Sequence, residues 1–256
     1  ETIGGGVVLE PNPGIKKRFQ PQVIEELKRK ESGSSADVIE LHVREHADTL
    51  ITLSELAKLT ALSMEEVQKD VEELREQKLV DTFAMRKDTY VWHADSKRAA
   101  VHTLKNALRT FEEKYPYRYG MKKAEVQMTY FKKVKPNVFD KIVELLEEEG
   151  EIKRTEEFLG TPEFEICKDA VYERVSRKIL ATLKNAKYDF VRYSEIEFQG
   201  KDGAVSDDIL NILLEEKEVV KVTDDMYTLT AYMEEAKTVI QTKLKEEGLI
   251  TIAQVR

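Results

Sequence analysis

Hydrophobic and polar positions along this chain change their period several times, and the changes come round again in the same order. From about Ser35 to His46 the pattern predicts a long amphipathic helix. The short extended piece Thr49-Leu50-Ile51-Thr52 follows, and then a short helix beginning near Ser54. Thr60-Ala61-Leu62-Ser63 reads as a turn, with Ser63 as N-cap and Glu66 at the reciprocal capping-box position of a second long helix running to about Gln77. Two β-type segments, KLVDTFAM and DTYVWHAD, are joined by Arg86-Lys87-Asp88. Helix, strand, helix, turn, helix and hairpin is the order of a winged helix-turn-helix domain.

The same order recurs. Leu74, Leu146 and Leu214 each stand six residues before an aliphatic residue, Val80, Ile152 and Val220, in the segments LREQKLV, LEEEGEI and LEEKEVV. Short-helix anchors match at Glu55-Leu56, Glu125-Val126, Glu195-Ile196 and Gln254-Val255, and the hairpin ends match at Asp88-Thr89-Tyr90 and Asp225-Met226-Tyr227. The fold class predicted is mainly α with small β-hairpins (α+β): three complete winged helices over 35–94, 95–167 and 168–230, and a truncated fourth over 231–256. The opening stretch, ETIGGGVVLEPNP, differs from all of this. Val7-Val8-Leu9 reads as the closing strand of an upstream β-barrel (1–14), and 15–34 as a helical linker starting at Pro21.

Composition narrows the function. The lone Cys167 excludes a disulfide framework and fits a reducing, cytoplasmic setting. No apolar run approaches the roughly 18 residues of a membrane span. Net charge is −8, and nucleic-acid binding draws most of its affinity from Lys and Arg neutralising phosphates. The third helix of each unit, the one that enters a DNA groove in most winged helices, is acidic. Residues 63–77 hold two basic side chains against six acidic, 136–149 one against five, and 206–216 none against four, so each nets −4. Such surfaces repel phosphate, which favours spacer or docking modules over DNA readers.

Candidate chemistry is sparse. The opening glycines lack the Gly-Lys-Ser/Thr of a P-loop and the third glycine of a dinucleotide fingerprint. His42-Val-Arg-Glu-His46 matches an inverted zincin pattern, but His93 and His102, the other histidines, lie in no ligand motif, so no metal site is assigned. No catalytic residue is assigned either. Basic clusters stand at Lys16-Lys17-Arg18 and Lys28-Arg29-Lys30, and the nucleic-acid candidates are Lys122, Lys123, Lys132, Lys133 and Lys135, the last three beside Tyr130-Phe131. The alternative for that segment is a solvated loop with its aromatics in the core.

Two stretches look familiar. TIGGGVVLEPNP resembles the closing strand of the third, β-barrel domain of selenocysteine-specific translation elongation factors (SelB). FEEKYPYRYGMKKAEVQMTYF, Phe111 to Phe131, resembles that family's F-x-x-x-Y-P-x-R-x-G segment in its second winged helix, carried here by Tyr115, Pro116, Arg118 and Gly120. With the repeats, the resemblance covers essentially the whole chain. It implies a C-terminal arm linking a GTPase and selenocysteinyl-tRNA-binding part to a fourth winged helix that grips the selenoprotein mRNA hairpin on the ribosome during UGA recoding. GTP and Mg would belong to the N-terminal domains. This segment would hold no cofactor, touch no membrane, act as a monomer and not be an enzyme, and the family's RNA contacts would lie beyond Arg256. A tandem winged-helix DNA-binding regulator or a protein-interaction scaffold are the competing functions.

Overall fold

The structure is a computed structural model and describes residues 34–248. The strand at Val7–Leu9, the linker helix before Ser34, its two basic clusters and the anchor Gln254-Val255 lie outside the described residues.

The first winged helix comprises α1 (Ser35–Glu45), β1 (Ile51–Thr52), α2 (Leu53–Thr60), α3 (Met64–Glu76), β2 (Val80–Ala84) and β3 (Thr89–His93). All three helices open with a capping box: Ser34 with Asp37, Thr52 with Glu55, Ser63 with Glu66. In each, the cap hydroxyl accepts an amide of the first turn and the carboxylate accepts the cap's own N–H, so two orphan donors are satisfied together. The Ser63 box is the one expected from sequence. The short helix, however, starts one residue before Ser54, because the Thr52 hydroxyl receives the Glu55 amide at 3.3 Å. Ala61 then adopts a left-handed conformation (φ 58°), which turns the chain into α3. Ile39, Val43, Leu56, Val67, Val71 and Leu74 pack on Val80 and Val91 of an antiparallel sheet ordered β1-β3-β2.

The second repeats the plan with α4 (Ala94–Lys114), β4 (Met121–Lys122), α5 (Lys123–Tyr130), α6 (Pro136–Glu148), β5 (Lys153–Thr155) and β6 (Phe158–Gly160), its sheet ordered β4-β6-β5. Pro136 sits in the first turn of α6, where its missing N–H costs nothing.

The third comprises α7 (Ala170–Ala186), β7 (Val191–Arg192), α8 (Ser206–Glu215), β8 (Val219–Lys221) and β9 (Met226–Leu229), with sheet order β7-β9-β8, followed by α9 (Thr230–Glu247). Its short helix is replaced by two 3₁₀ turns, Tyr193–Glu195 and Gly200–Ala204.

The sequence repeat needs one correction, in the third unit. Leu74 and Leu146 are buried, but the matching side chain there is Leu213, 1% exposed, while Leu214 is only partly buried. Backbone geometry fixes the register. The amides of Leu79, Glu151 and Glu218 donate to the carbonyls of Leu74, Leu146 and Leu213, five residues back in every case. Four residues after the same leucines stand Lys78, Gly150 and Lys217, all with positive φ (60°, 71° and 59°). This left-handed cap ends the helix and aims the next strand back across the core. Leu213-Leu214 is a doublet, and sequence matching took its wrong member.

Each wing also returns to its short helical segment. In the third unit the Asp225 carboxylate accepts the Ser194 hydroxyl (2.5 Å) and amide (3.1 Å), and these bonds, the hydroxyl first, hold its pKa below the usual value. At the matching position in the first unit, burial alone would raise the Asp88 pKa, but hydrogen bonds with Ser54 and Thr52 outweigh it.

Among the described residues two compact units divide the chain: those up to Arg109 with Met121–Pro162, and Thr110–Gly120 with those from Glu163 onward. Thr110–Gly120, inside the span 95–167 assigned from sequence to the second winged helix, therefore groups with the third.

The register makes a sharp prediction. Leu213→Ala should destabilise the third winged helix by roughly 2–5 kcal/mol, and Leu214→Ala by much less, in urea unfolding followed by amide exchange within α8. Equal losses would contradict it.

Candidate nucleic-acid interface

The reading helices are the first place to look for a nucleic-acid surface. Along α3, Glu65, Glu66, Glu72, Glu73 and Glu76 are exposed; along α6, Asp140, Glu144 and Glu148; along α8, Asp207 and Glu215. The inward positions are filled by core residues such as Val67, Val71, Ile142 and Ile209. Their solvent faces are thus acidic, as the charge pattern predicted.

The five candidate lysines separate into two groups. Lys123 Nζ contacts Asp140 at 2.9 Å and Lys122 Nζ contacts Glu157 at 3.7 Å, so both are held by carboxylates of their own domain. Lys133 and Lys135 line a groove of about 440 Å³ with His46, Lys58, Leu59 and Tyr90, and Lys133 Nζ is paired with Asp48 at 3.0 Å. Lys132 lines a neighbouring groove with Trp92 and Tyr130. Among the described residues Lys132 and Lys135 form no ion pair. The two aromatics part company: Phe131 is buried with its ring 5.1 Å from that of Phe139, whereas Tyr130 is 37% exposed.

The histidines of the zincin-like pattern are occupied locally. His42 is buried and its Nδ1–H donates to Glu45 at 3.2 Å; His46 Nδ1–H donates to the His42 carbonyl at 2.9 Å. Buried His93 accepts the Asp95 amide on Nδ1, and its Nε2 stands 3.2 Å from Arg44 and 3.3 Å from Glu40, which are themselves paired. It thereby ties β3 to α1. No group of three or more His, Cys, Asp or Glu that could hold a metal is found among the described residues.

The Tyr-Pro-x-Arg-x-Gly segment proves to be a brace. The Arg118 guanidinium lies 4.1 Å from the centre of the Tyr115 ring, which also sits 4.8 Å from Phe111. Arg118 Nε donates to Asp208 at 2.8 Å, in the first turn of α8. The Pro116 carbonyl accepts the Cys167 amide, and Tyr117 is buried in the core of the third winged helix among Tyr172, Val175 and Ile179. Its hydroxyl donates to Asp169 (3.0 Å), which also caps α7 by accepting the amides of Val171 and Tyr172. Gly120, with φ 136°, takes a conformation that L side chains rarely adopt.

A second basic surface escapes a reading by clusters. Arg75 and Lys78 at the end of α3, and Lys97, Arg98, Val101, His102, Lys105, Asn106 and Arg109 along α4, line a groove of about 650 Å³ together with Asp81, Glu149 and Glu151. These residues come from four chain segments, so no basic run marks them. The available signal was helical spacing: Lys97, Arg98, Lys105 and Arg109 recur on one face of α4.

The architecture is that of a tandem winged-helix protein. Residues 106–160 match the family model described as "Elongation factor SelB, winged helix", a span that includes Tyr115, Pro116, Arg118 and Gly120. The second winged helix is thus of the SelB kind, and the chain is similar to the C-terminal part of those factors. A bacterial selenocysteine-specific elongation factor, EF-Sec, shares the fold at 14% identity and a TM-score of 0.51, the match covering 97% of this chain and 36% of that one. The mRNA-binding domain of elongation factor SelB from E. coli, solved in complex with SECIS RNA, aligns at 15% identity and a TM-score of 0.37 over 50% of this chain and 98% of its own. This chain therefore spans about a third of the EF-Sec chain. No curated protein sequence matches it.

The Tyr117–Asp169 bond gives a pH dependence of known sign. The Asp169 pKa is lowered by the Tyr172 amide first and, against a burial cost, by the Tyr117 hydroxyl; the Tyr117 pKa is raised to about 12 by burial and then by Asp169. The carboxylate's contribution is present above roughly pH 4 and lost as pH falls through its lowered value. The phenol's is present below roughly pH 10 and lost as pH rises through about 12. Tyr117→Phe should destabilise the third winged helix by roughly 1 kcal/mol at pH 7 and reduce its loss of stability above pH 10, read by urea unfolding across pH.

Proposed function

We propose that this chain is the C-terminal arm of a SelB-type elongation factor, connecting a part that carries GTP and selenocysteinyl-tRNA to the winged helix that grips a selenoprotein mRNA hairpin on the ribosome. One observation carries the reading beyond the family match: three winged bodies present acidic solvent faces where a nucleic-acid reader needs cations. Groove insertion would bring these carboxylates against phosphate. A spacer has no such conflict, since its task is reach. On this reading the bodies up to β9 do not recognise the hairpin, GTP and Mg are handled outside the chain, and the segment catalyses nothing. The sequence accords with this in carrying neither G-x-x-x-x-G-K-[ST] nor N-K-x-D.

The test is discrimination between hairpins. The 256-residue chain should bind a selenoprotein mRNA hairpin and a scrambled hairpin of equal length alike, in the roughly 10⁻⁴–10⁻⁶ M range of non-specific binding at physiological salt. Preference for the genuine hairpin at about 10⁻⁸ M, abolished by charge reversal on α3, α6 or α8, would overturn the reading.

A further inference from the structure

The groove along α4 has no part in the arm just described. It is lined by six cationic side chains, Arg75, Lys78, Lys97, Arg98, Lys105 and Arg109, against three carboxylates, on a chain whose net charge is −8. All three carboxylates are already paired with lysines of the groove. Asp81 and Glu149 hold Lys97 (3.1 and 2.6 Å), and Glu151 holds Lys105 (2.7 Å), both lysine side chains being largely covered. The rim is different. Arg75 and Arg98 have exposed partners three residues away on their own helices, Glu72 and Asp95, and such pairs exchange readily with another anion. Lys78 and Arg109 are exposed and form no ion pair among the described residues.

Helix-end electrostatics accounts for Arg75 and Lys78, which neutralise the C-terminal dipole of α3. It leaves Arg98 and Arg109, within the body of α4, unexplained. From residue 98 to 109 the helix rises about 16 Å, a length that spans several phosphates of a nucleic-acid strand, roughly five at the 3.4 Å step of B-DNA. Fixed cations over that length suit a polyanion of regular repeat. An acidic protein suits them less, because protein interfaces centre on exposed apolar or aromatic anchors, and the apolar side chains here, Ala94 and Val101, are buried.

We propose that this groove is a sequence-independent docking site for the phosphate backbone of structured RNA, a contact additional to recognition of the mRNA hairpin. The choice of RNA over DNA rests on the translational reading above; the phosphate chemistry does not. Lys97 and Lys105 are held by carboxylates of the fold, and Arg75, Lys78, Arg98 and Arg109 supply the contacts open to phosphate.

The experiment measures anisotropy of a labelled RNA duplex of arbitrary sequence against the intact 256-residue chain, between 50 and 200 mM salt. The double variant Lys78→Gln/Arg109→Gln should weaken binding about tenfold at the low-salt end and lower the slope of log K on log salt by roughly 1.8, that is 0.9 per lost contact. Lys133→Gln/Lys135→Gln, in the other groove, should change neither. The substituted side chains are exposed, and unchanged circular dichroism confirms folding. Absence of duplex binding, an unaltered slope in the first variant, or transfer of the loss to the second would overturn the proposal. Tighter binding of the corresponding DNA duplex would overturn the assignment to RNA. Hairpin discrimination is a separate readout, so the groove and the arm can fail independently.

Discussion

Three times in this chain a helix ends on a buried leucine, the backbone turns left-handed four residues later, and a strand returns across the core. Leu74 with Lys78, Leu146 with Gly150 and Leu213 with Lys217 are one device. A hairpin of three to five residues per strand has little stability alone. It holds because this turn delivers its first aliphatic residue, Val80, Ile152 or Val219, under the helix that precedes it. Everything else in a winged body follows from that placement, including the sheet order and the return of the wing to the short helical segment. Only one of the three positions is glycine. Two lysines accept the left-handed conformation, which shows how strongly the packed leucine and strand determine the turn.

Fixing the inner face of the third helix also fixes the outer one. Once Val67, Val71 and Leu74, or Ile209, Ile212 and Leu213, are committed inward, the remaining positions meet solvent, and there they are mostly Glu and Asp. The acidity of the reading helices is therefore a property of the folded surface as well as of composition. Cations gather elsewhere in the first unit, along α4 and the end of α3, where carboxylates anchor two lysines and leave the rim positive. A sequence average of −8 conceals this separation.

Much of the fold was legible because it is local. Ser63 with Glu66 marks a helix start within four residues, and the apolar periods mark helix and strand. Register was harder. Leu213 and Leu214 are chemically identical neighbours, and only the backbone bond from Glu218 and the buried side chain separate them. The site was least legible. Lys122, Lys123, Lys132, Lys133 and Lys135 drew attention as a cluster, yet three of them face carboxylates that sequence could not pair with them. The α4 groove draws on residues from Arg75 to Glu151, and no linear pattern collects them. Tyr115, Pro116, Arg118 and Gly120 fall inside the segment that matches the SelB winged-helix model, while their physical task, bracing the third winged helix through Tyr117, Asp169 and Asp208, shows only in the fold.

The central claim is that acidic reading helices exclude RNA while a cationic face elsewhere admits it. Amide chemical-shift mapping during titration with structured RNA tests this most directly, because it reports position as well as affinity. The account predicts shifts concentrated at Lys78 and along residues 97–109, disappearing as salt rises, with the exposed faces of α3, α6 and α8 unmoved. Shifts centred on those three helices, with residues 97–109 silent, would contradict it.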